Sequence, residues 1–168
     1  MQLHYEGQQS VDGSVGEVFR FICDAHNVGP CTPDLVDLDV LDAAHFHATV
    51  KVGVGPVKGK LKLEVALLPQ EEQHSLTLTI HGSGMGSGVD LTASAALTPS
   101  DVSHTVMDWQ ANGSVSGPLA TVGGRLLDKQ AQRIIEQVFV NVRDAVNRLV
   151  NTSASEEGTD RSASGGGS

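Results

Sequence analysis

Hydrophobic residues recur at every second position through successive runs of this chain, and then switch to every third or fourth. Phe46, Ala48, Val50 and Val52 alternate with His45, His47, Thr49 and Lys51. Val57, Gly59, Leu61, Leu63 and Val65 alternate with Lys58, Lys60, Lys62 and Glu64. Leu76, Leu78 and Ile80 continue the pattern, followed by Val89, Leu91, Ala93, Ala95 and Leu97, and finally Thr105, Met107, Trp109 and Ala111. A period of two places each set on one face of a strand, so these runs predict an antiparallel sheet with one buried and one wet face. Short separators rich in turn formers, at 53–56, 69–73, 82–88 and 99–101, join the runs as hairpins. From Leu119 to Leu149 the period becomes helical: Leu119, Val122, Leu126, Ile134, Val138, Val142, Ala145 and Leu149 form one row. Leu127, Ala131, Ile135, Phe139 and Val146 widen the stripe. Pro118 suits a first helical position, which predicts one long helix from there.

The N-terminal part completes the plan. Residues 5–11 read as a strand, and Ser14 with Glu17 forms a capping-box signature for a helix over 15–24. Two prolines within 27–33 leave room only for a short helix or turn. The fold class expected is therefore α+β, a curved antiparallel sheet wrapped around a long C-terminal helix. Inward positions are often small (Ala48, Gly59, Ala93, Ala95, Ala111), and aromatic residues are only 4% of the chain: four Phe, one Trp and one Tyr. Small residues under a curved sheet predict an internal apolar cavity. The folded domain is expected to span 1–150. Residues 151–168, which carry no apolar residue larger than alanine, read as a disordered polar tail.

Charge limits the partners. Eleven basic against twenty acidic residues give a net charge of −9, the opposite of a nucleic-acid surface. Cys23 and Cys31 are too few for a disulfide scaffold. Residues 1–6 hold no apolar signal core, and no apolar run reaches the ~18 residues that span a bilayer. The expected location is the cytoplasm.

Candidate sites are few. His45 and His47 share a strand face at i, i+2, a metal-ligand spacing, but that face is the polar one, so exposed histidines are the competing reading. The glycine-rich segment 82–88 lacks the Lys-Ser/Thr of a phosphate loop and precedes a strand, not a helix. It reads as a flexible hairpin connection, or as a gate over the cavity with Met85 at its tip. Cys31 has no partner base in any recognisable motif and reads as a small buried turn residue, as Cys23 does on the first helix. Trp109 is either core or a cavity wall that stacks on a planar ring. Beside it the alternation nominates Phe46, Leu61, Leu78, Met85, Met107, Leu126 and Phe139 as the apolar ligand-binding wall, with Gln130 as a polar contact. Lys51, Lys58, Lys60 and Lys62 cluster on the outer face of one hairpin, as a solvated face or as a docking patch for anionic lipid or a partner enzyme. No catalytic or metal site is nominated.

The order of elements matches the START-like, helix-grip (SRPBCC) superfamily. Residues 49–59, Thr-Val-Lys-Val-Gly-Val-Gly-Pro-Val-Lys-Gly, resemble the hairpin of the carbon monoxide dehydrogenase G-subunit (CoxG) family. Cys31-Thr32-Pro33 stands where that family has a Cys-x-Pro turn, although Asp34 replaces the usual Gly. Leu119-Ala120, Gly123, Arg125-Leu126-Leu127-Asp128 and Phe139 resemble its helix start, and the resemblance extends over about residues 2–148. It implies an accessory protein for a molybdenum-containing dehydrogenase, without catalysis by this chain. It also implies a lipophilic ligand, menaquinone or another lipid, and no covalent cofactor. The role implied is linking the enzyme to the membrane quinone pool from the inner face of the membrane. Recruitment without ligand carriage, and a small cyclase or hydrolase on the same fold, are the alternatives.

Overall fold

In a computed structural model that describes the backbone of residues 1–166 and the side chains of residues 1–149, seven strands form one curved antiparallel sheet in the order β1-β7-β6-β5-β4-β3-β2. The strands are β1 (Gln2–Asp12), β2 (Leu35–Asp42), β3 (His45–Val54), β4 (Val57–Gln70), β5 (Ser75–Gly84), β6 (Ser87–Asp101) and β7 (His104–Ser116). β2 to β7 form a meander, and β1 closes on β7 with Tyr5 opposite Ala111. Two short helices, α1 (Val15–Ile22) and α2 (Ala25–Val28), and a 3-10 turn (Gly29–Cys31) link β1 to β2. After β7 come α3 (Pro118–Thr121) and α4 (Gly124–Gly166). The sheet with its gripping helix is the helix-grip architecture that the periodicity predicts. The polar tail expected over 151–168 lies outside the residues whose side chains are described.

Local chemistry explains the elements. The Ser14 hydroxyl accepts from the Glu17 N–H at 3.2 Å, and the Glu17 carboxylate accepts from the Ser14 N–H at 3.3 Å, which closes the expected capping box. Four departures from the sequence reading have physical causes. β2 has no signature in the periodicity, because its acidic residues Asp37, Asp39 and Asp42 are poor strand formers and its pairing with β3 is interrupted twice by bulges. The C-terminal helix is two helices: Gly123, at φ +95°, breaks it where the Pro118 start predicts continuity. Strands extend into the separators expected at 69–73 and 99–101, as far as Gln70 and Asp101. The 82–88 segment is a tight hairpin whose connection is only two residues long. β5 pairs with β6 up to Gly84 opposite Ser87, leaving only Met85 (φ +57°) and Gly86 (φ +74°) as a primed turn that matches strand twist.

The core is in two parts. The larger gathers Val18 and Phe19 of α1, Phe46, Leu67, Leu76, Leu97 and Met107 of the sheet, and Phe139, Val142 and Val146 of α4. Trp109 leans on Phe139 with ring centroids 5.6 Å apart. The smaller holds Val50, Val54, Leu61, Val115, Leu119 and Leu127.

Candidate functional site

Between the sheet and α4, bounded by the smaller cluster, lies an apolar cavity of about 280 Å³. The sheet contributes Leu61, Leu63, Ile80, Leu91 and Ala111, and the helix contributes Leu127, Ala131, Ile134 and Ile135. These side chains are inward by strand parity or by the i, i+4 rows of α4. They are short enough to leave space, whereas the aromatic residues fill the other end.

The polar groups on the lining are few: Tyr5 of β1, Gln130 of α4, and Thr32, Asp34 and Lys51 by the opposite edge of the sheet. Tyr5 lines the cavity, and its hydroxyl donates to Asp128 of α4 at 2.8 Å. Burial, then the hydrogen bond to Asp128 and that carboxylate's charge, push its pKa up to about 12, so the phenol stays neutral at any physiological pH. Gln130 lies on the lining as well. The mouth lies where the segment after the 3-10 turn meets α4. There Arg133 donates to Asp34 at 2.8 Å, and Asn141 donates to the Cys31 carbonyl at 3.0 Å. Asp34, at φ +58°, turns the chain so that its carbonyl accepts from the Lys51 N–H at 3.0 Å.

Of the residues nominated from sequence, Leu61 and Gln130 are on this lining. Phe46, Met107 and Phe139 are buried in the larger cluster, with Leu78 and Trp109 packed against it. Met85 packs against the smaller cluster and lies over Gly59. Leu126 faces outward, 37% exposed, against the β3–β4 turn at Gly55. Sequence reasoning misses Tyr5, although parity could find it: it stands opposite Ala111, already assigned inward. The Trp109 indole N–H is buried without a hydrogen-bond partner.

Of the remaining candidates Lys51 also borders the cavity, and the others lie elsewhere. Lys51, Lys58, Lys60 and Lys62 are exposed, with Lys51 and Lys60 directly in register. His45 pairs with Asp42 at 2.8 Å on the outer face, and His47 is exposed beside it. Among the described residues no group of three or more His, Cys, Asp or Glu is placed to hold a metal ion. Burial and the charge of Glu71 push the Cys23 thiol up to about 11, and burial raises Cys31 too, so neither is an activated nucleophile.

Residues 7–147 match the carbon monoxide dehydrogenase G-subunit (CoxG) family. Among curated proteins, none matches the sequence significantly. The fold is similar to that of a conserved protein from Geobacillus kaustophilus (TM-score 0.78, 22% identity, covering 87% of this chain and 96% of that one). It is also similar to a START superfamily protein from Mycobacterium smegmatis (TM-score 0.64, 12% identity, 87% and 98% covered). A third similar structure is the Zhui aromatase/cyclase of a Streptomyces (TM-score 0.57, 12% identity, 87% and 92% covered). That last likeness corrects the expectation that this chain is no enzyme. The expectation leans on an interior without titratable groups, but an enzyme shares the architecture, and Tyr5 with Asp128 places such a group on the cavity.

Proposed function

The chain belongs to the carbon monoxide dehydrogenase G-subunit (CoxG) family, and we propose that it carries a lipophilic ligand, a quinone of the menaquinone type, for a molybdenum-containing dehydrogenase. In this reading it links that enzyme to the quinone pool at the cytoplasmic face of the membrane. The observation that supports it is the apolar cavity with a neutral hydroxyl and an amide on its lining. A quinone has this profile in reverse: an apolar ring and tail with two carbonyl acceptors. The Gln130 amide is a donor that could meet one carbonyl, since the Tyr5 hydroxyl already donates to Asp128, and Leu61, Leu91 and Ile135 would shield the ring from water. Among the described residues no helix is long and apolar enough to cross a membrane.

The test is extraction of the purified protein with organic solvent, followed by mass spectrometry. A second arm titrates stripped protein with menaquinone-4 in detergent, read by quenching of the chain's single tryptophan, Trp109. Co-purified quinone and saturable quenching are expected. An empty extract without quenching overturns carriage, and tight dehydrogenase binding by that empty protein would leave recruitment in its place.

A further inference from the structure

We propose that the cavity selects ligands that carry a hydroxyl donor, so that it holds a reduced quinol more tightly than the matching quinone. The preference for a donor comes from the lining itself; only the identity of the ligand as a quinol rests on the carriage reading. A neutral hydroxyl has one proton to donate and two lone pairs that accept. Both hydroxyls on the lining have that proton engaged elsewhere. Tyr5 donates to Asp128 at 2.8 Å, and Thr32 donates to the Gly29 carbonyl at 2.7 Å. What remains on each oxygen is an acceptor.

The other polar groups of the lining do not reverse this. Asp34 is a carboxylate, an acceptor only, and is already bound by Arg133. The Gln130 amide carries both a donor and an acceptor, so it serves either form. Lys51 is exposed at the mouth, where its ammonium keeps to water. The Trp109 N–H, buried without a partner, is not on this lining. Tyr5 is therefore the group that discriminates. A carbonyl brought to it sets lone pairs against lone pairs, whereas a ligand hydroxyl finds an acceptor. Burial is the largest cause of its raised pKa, so its oxygen is shielded from part of the water that would otherwise satisfy those lone pairs. The Asp128 carboxylate polarises the phenol and makes its oxygen the better acceptor. Asp128 itself is exposed on α4 and off the lining, so it acts through Tyr5 as a positioning residue. A hydrogen bond made to one redox form alone is worth roughly a factor of two to ten in affinity. At a tenfold preference for the quinol, the potential of the bound two-electron couple rises by about 30 mV, which makes the bound quinone the stronger electron acceptor.

The experiment partitions menaquinone-4 between detergent micelles and the full chain, oxidised in one arm and kept reduced by dithionite without oxygen in the other. Bound ligand is extracted and quantified by mass spectrometry. Tyr5→Phe sets the baseline, because it keeps the ring and removes the acceptor. Relative to it, the wild type is expected to favour the quinol over the quinone by roughly two- to tenfold. Asp128→Ala frees the Tyr5 proton for the cavity, so the quinone should bind more tightly than it does to the wild type. A second pair of probes, 1-naphthol and 1-fluoronaphthalene, tests the donor without quinone chemistry, and the wild type should favour the naphthol over the same baseline. Equal ratios in the wild type and Tyr5→Phe for both pairs, or a quinone affinity that Asp128→Ala leaves unchanged, overturn donor selection. Saturable menaquinone-4 binding in those samples leaves carriage standing. If neither redox form binds while the naphthol preference depends on Tyr5, carriage fails and donor selection stands.

Discussion

One substitution at two positions can separate the cavity from the packed core. Ala111 lies on β7 between Tyr5 of β1 and Ala93 of β6, on the cavity lining. Ala111→Leu adds three carbons to that space, worth up to about 2.4 kcal/mol at ~0.8 kcal/mol per buried carbon. Holding the new side chain in one rotamer removes about 0.5–1 kcal/mol of this. The expected net is a stabilisation of about 1.5–2 kcal/mol, or a rise of about 3–8 °C in melting temperature for a chain of this length. Ala48 makes the contrast: it is 2% exposed in the larger cluster. There the same carbons must displace packed neighbours, and Ala48→Leu should destabilise by about 1–3 kcal/mol. Urea unfolding reads both as midpoints moving in opposite directions with an unchanged slope. Ala111→Leu should also weaken menaquinone-4 capture, because it occupies the ligand's space. If the two variants lose stability alike, the interior beside Ala111 is filled and the cavity argument fails.

Other expected outcomes follow from single contacts. Gly117→Ala should destabilise by about 2 kcal/mol or more in the same assay, because φ is +76° there and an added Cβ would strike the Gly86 carbonyl oxygen. The chain's single tyrosine should ionise near pH 12 by ultraviolet absorbance, and as its folded pKa lies above the ordinary value of 10, its contribution to stability is complete below pH 10 and is lost as pH rises through 12. Cys23 should react with a thiol reagent at pH 8 far more slowly than free cysteine, since a pKa of about 11 leaves about one thiolate in a thousand, and unfolding in urea should restore the ordinary rate.

The fold was legible because its strongest signals are periodic. Every strand from β3 to β7 reads inward and outward correctly from alternation, since one face is buried and a slip by one residue would invert it. What escaped were elements set by long-range pairing or by one residue. β2 has weak strand chemistry and forms because β3 offers it an edge, with Leu38 opposite Ala48 and Val40 opposite Phe46. The α3–α4 break falls at Gly123, at positive φ, in a stretch whose apolar spacing stays helical.

The site was less legible, for a reason that also explains where it is. A scarcity of aromatic residues predicts unfilled volume somewhere, but large side chains belong to the packed region and cannot mark the empty one. Phe19, Phe46, Met107 and Phe139 concentrate at the α1 end and close it. The opposite end has Val50, Leu61, Ala111 and Ala131, and the one aromatic ring on its lining, Tyr5, is tied to Asp128 of α4. The mouth follows from chain geometry there. β2 begins at Leu35, opposite Val50, because Pro33 has no N–H to give a ladder and Asp34 turns at positive φ. β3 therefore continues through Lys51 to Val54 with no strand on its outer side, and the gap between that free edge and α4 is the opening. A β2 that began two residues earlier would pair as far as Val52 and narrow it. The opening thus traces to Pro33 and Asp34, two residues whose backbone effect local sequence does state, but whose position opposite Lys51 only the register reveals.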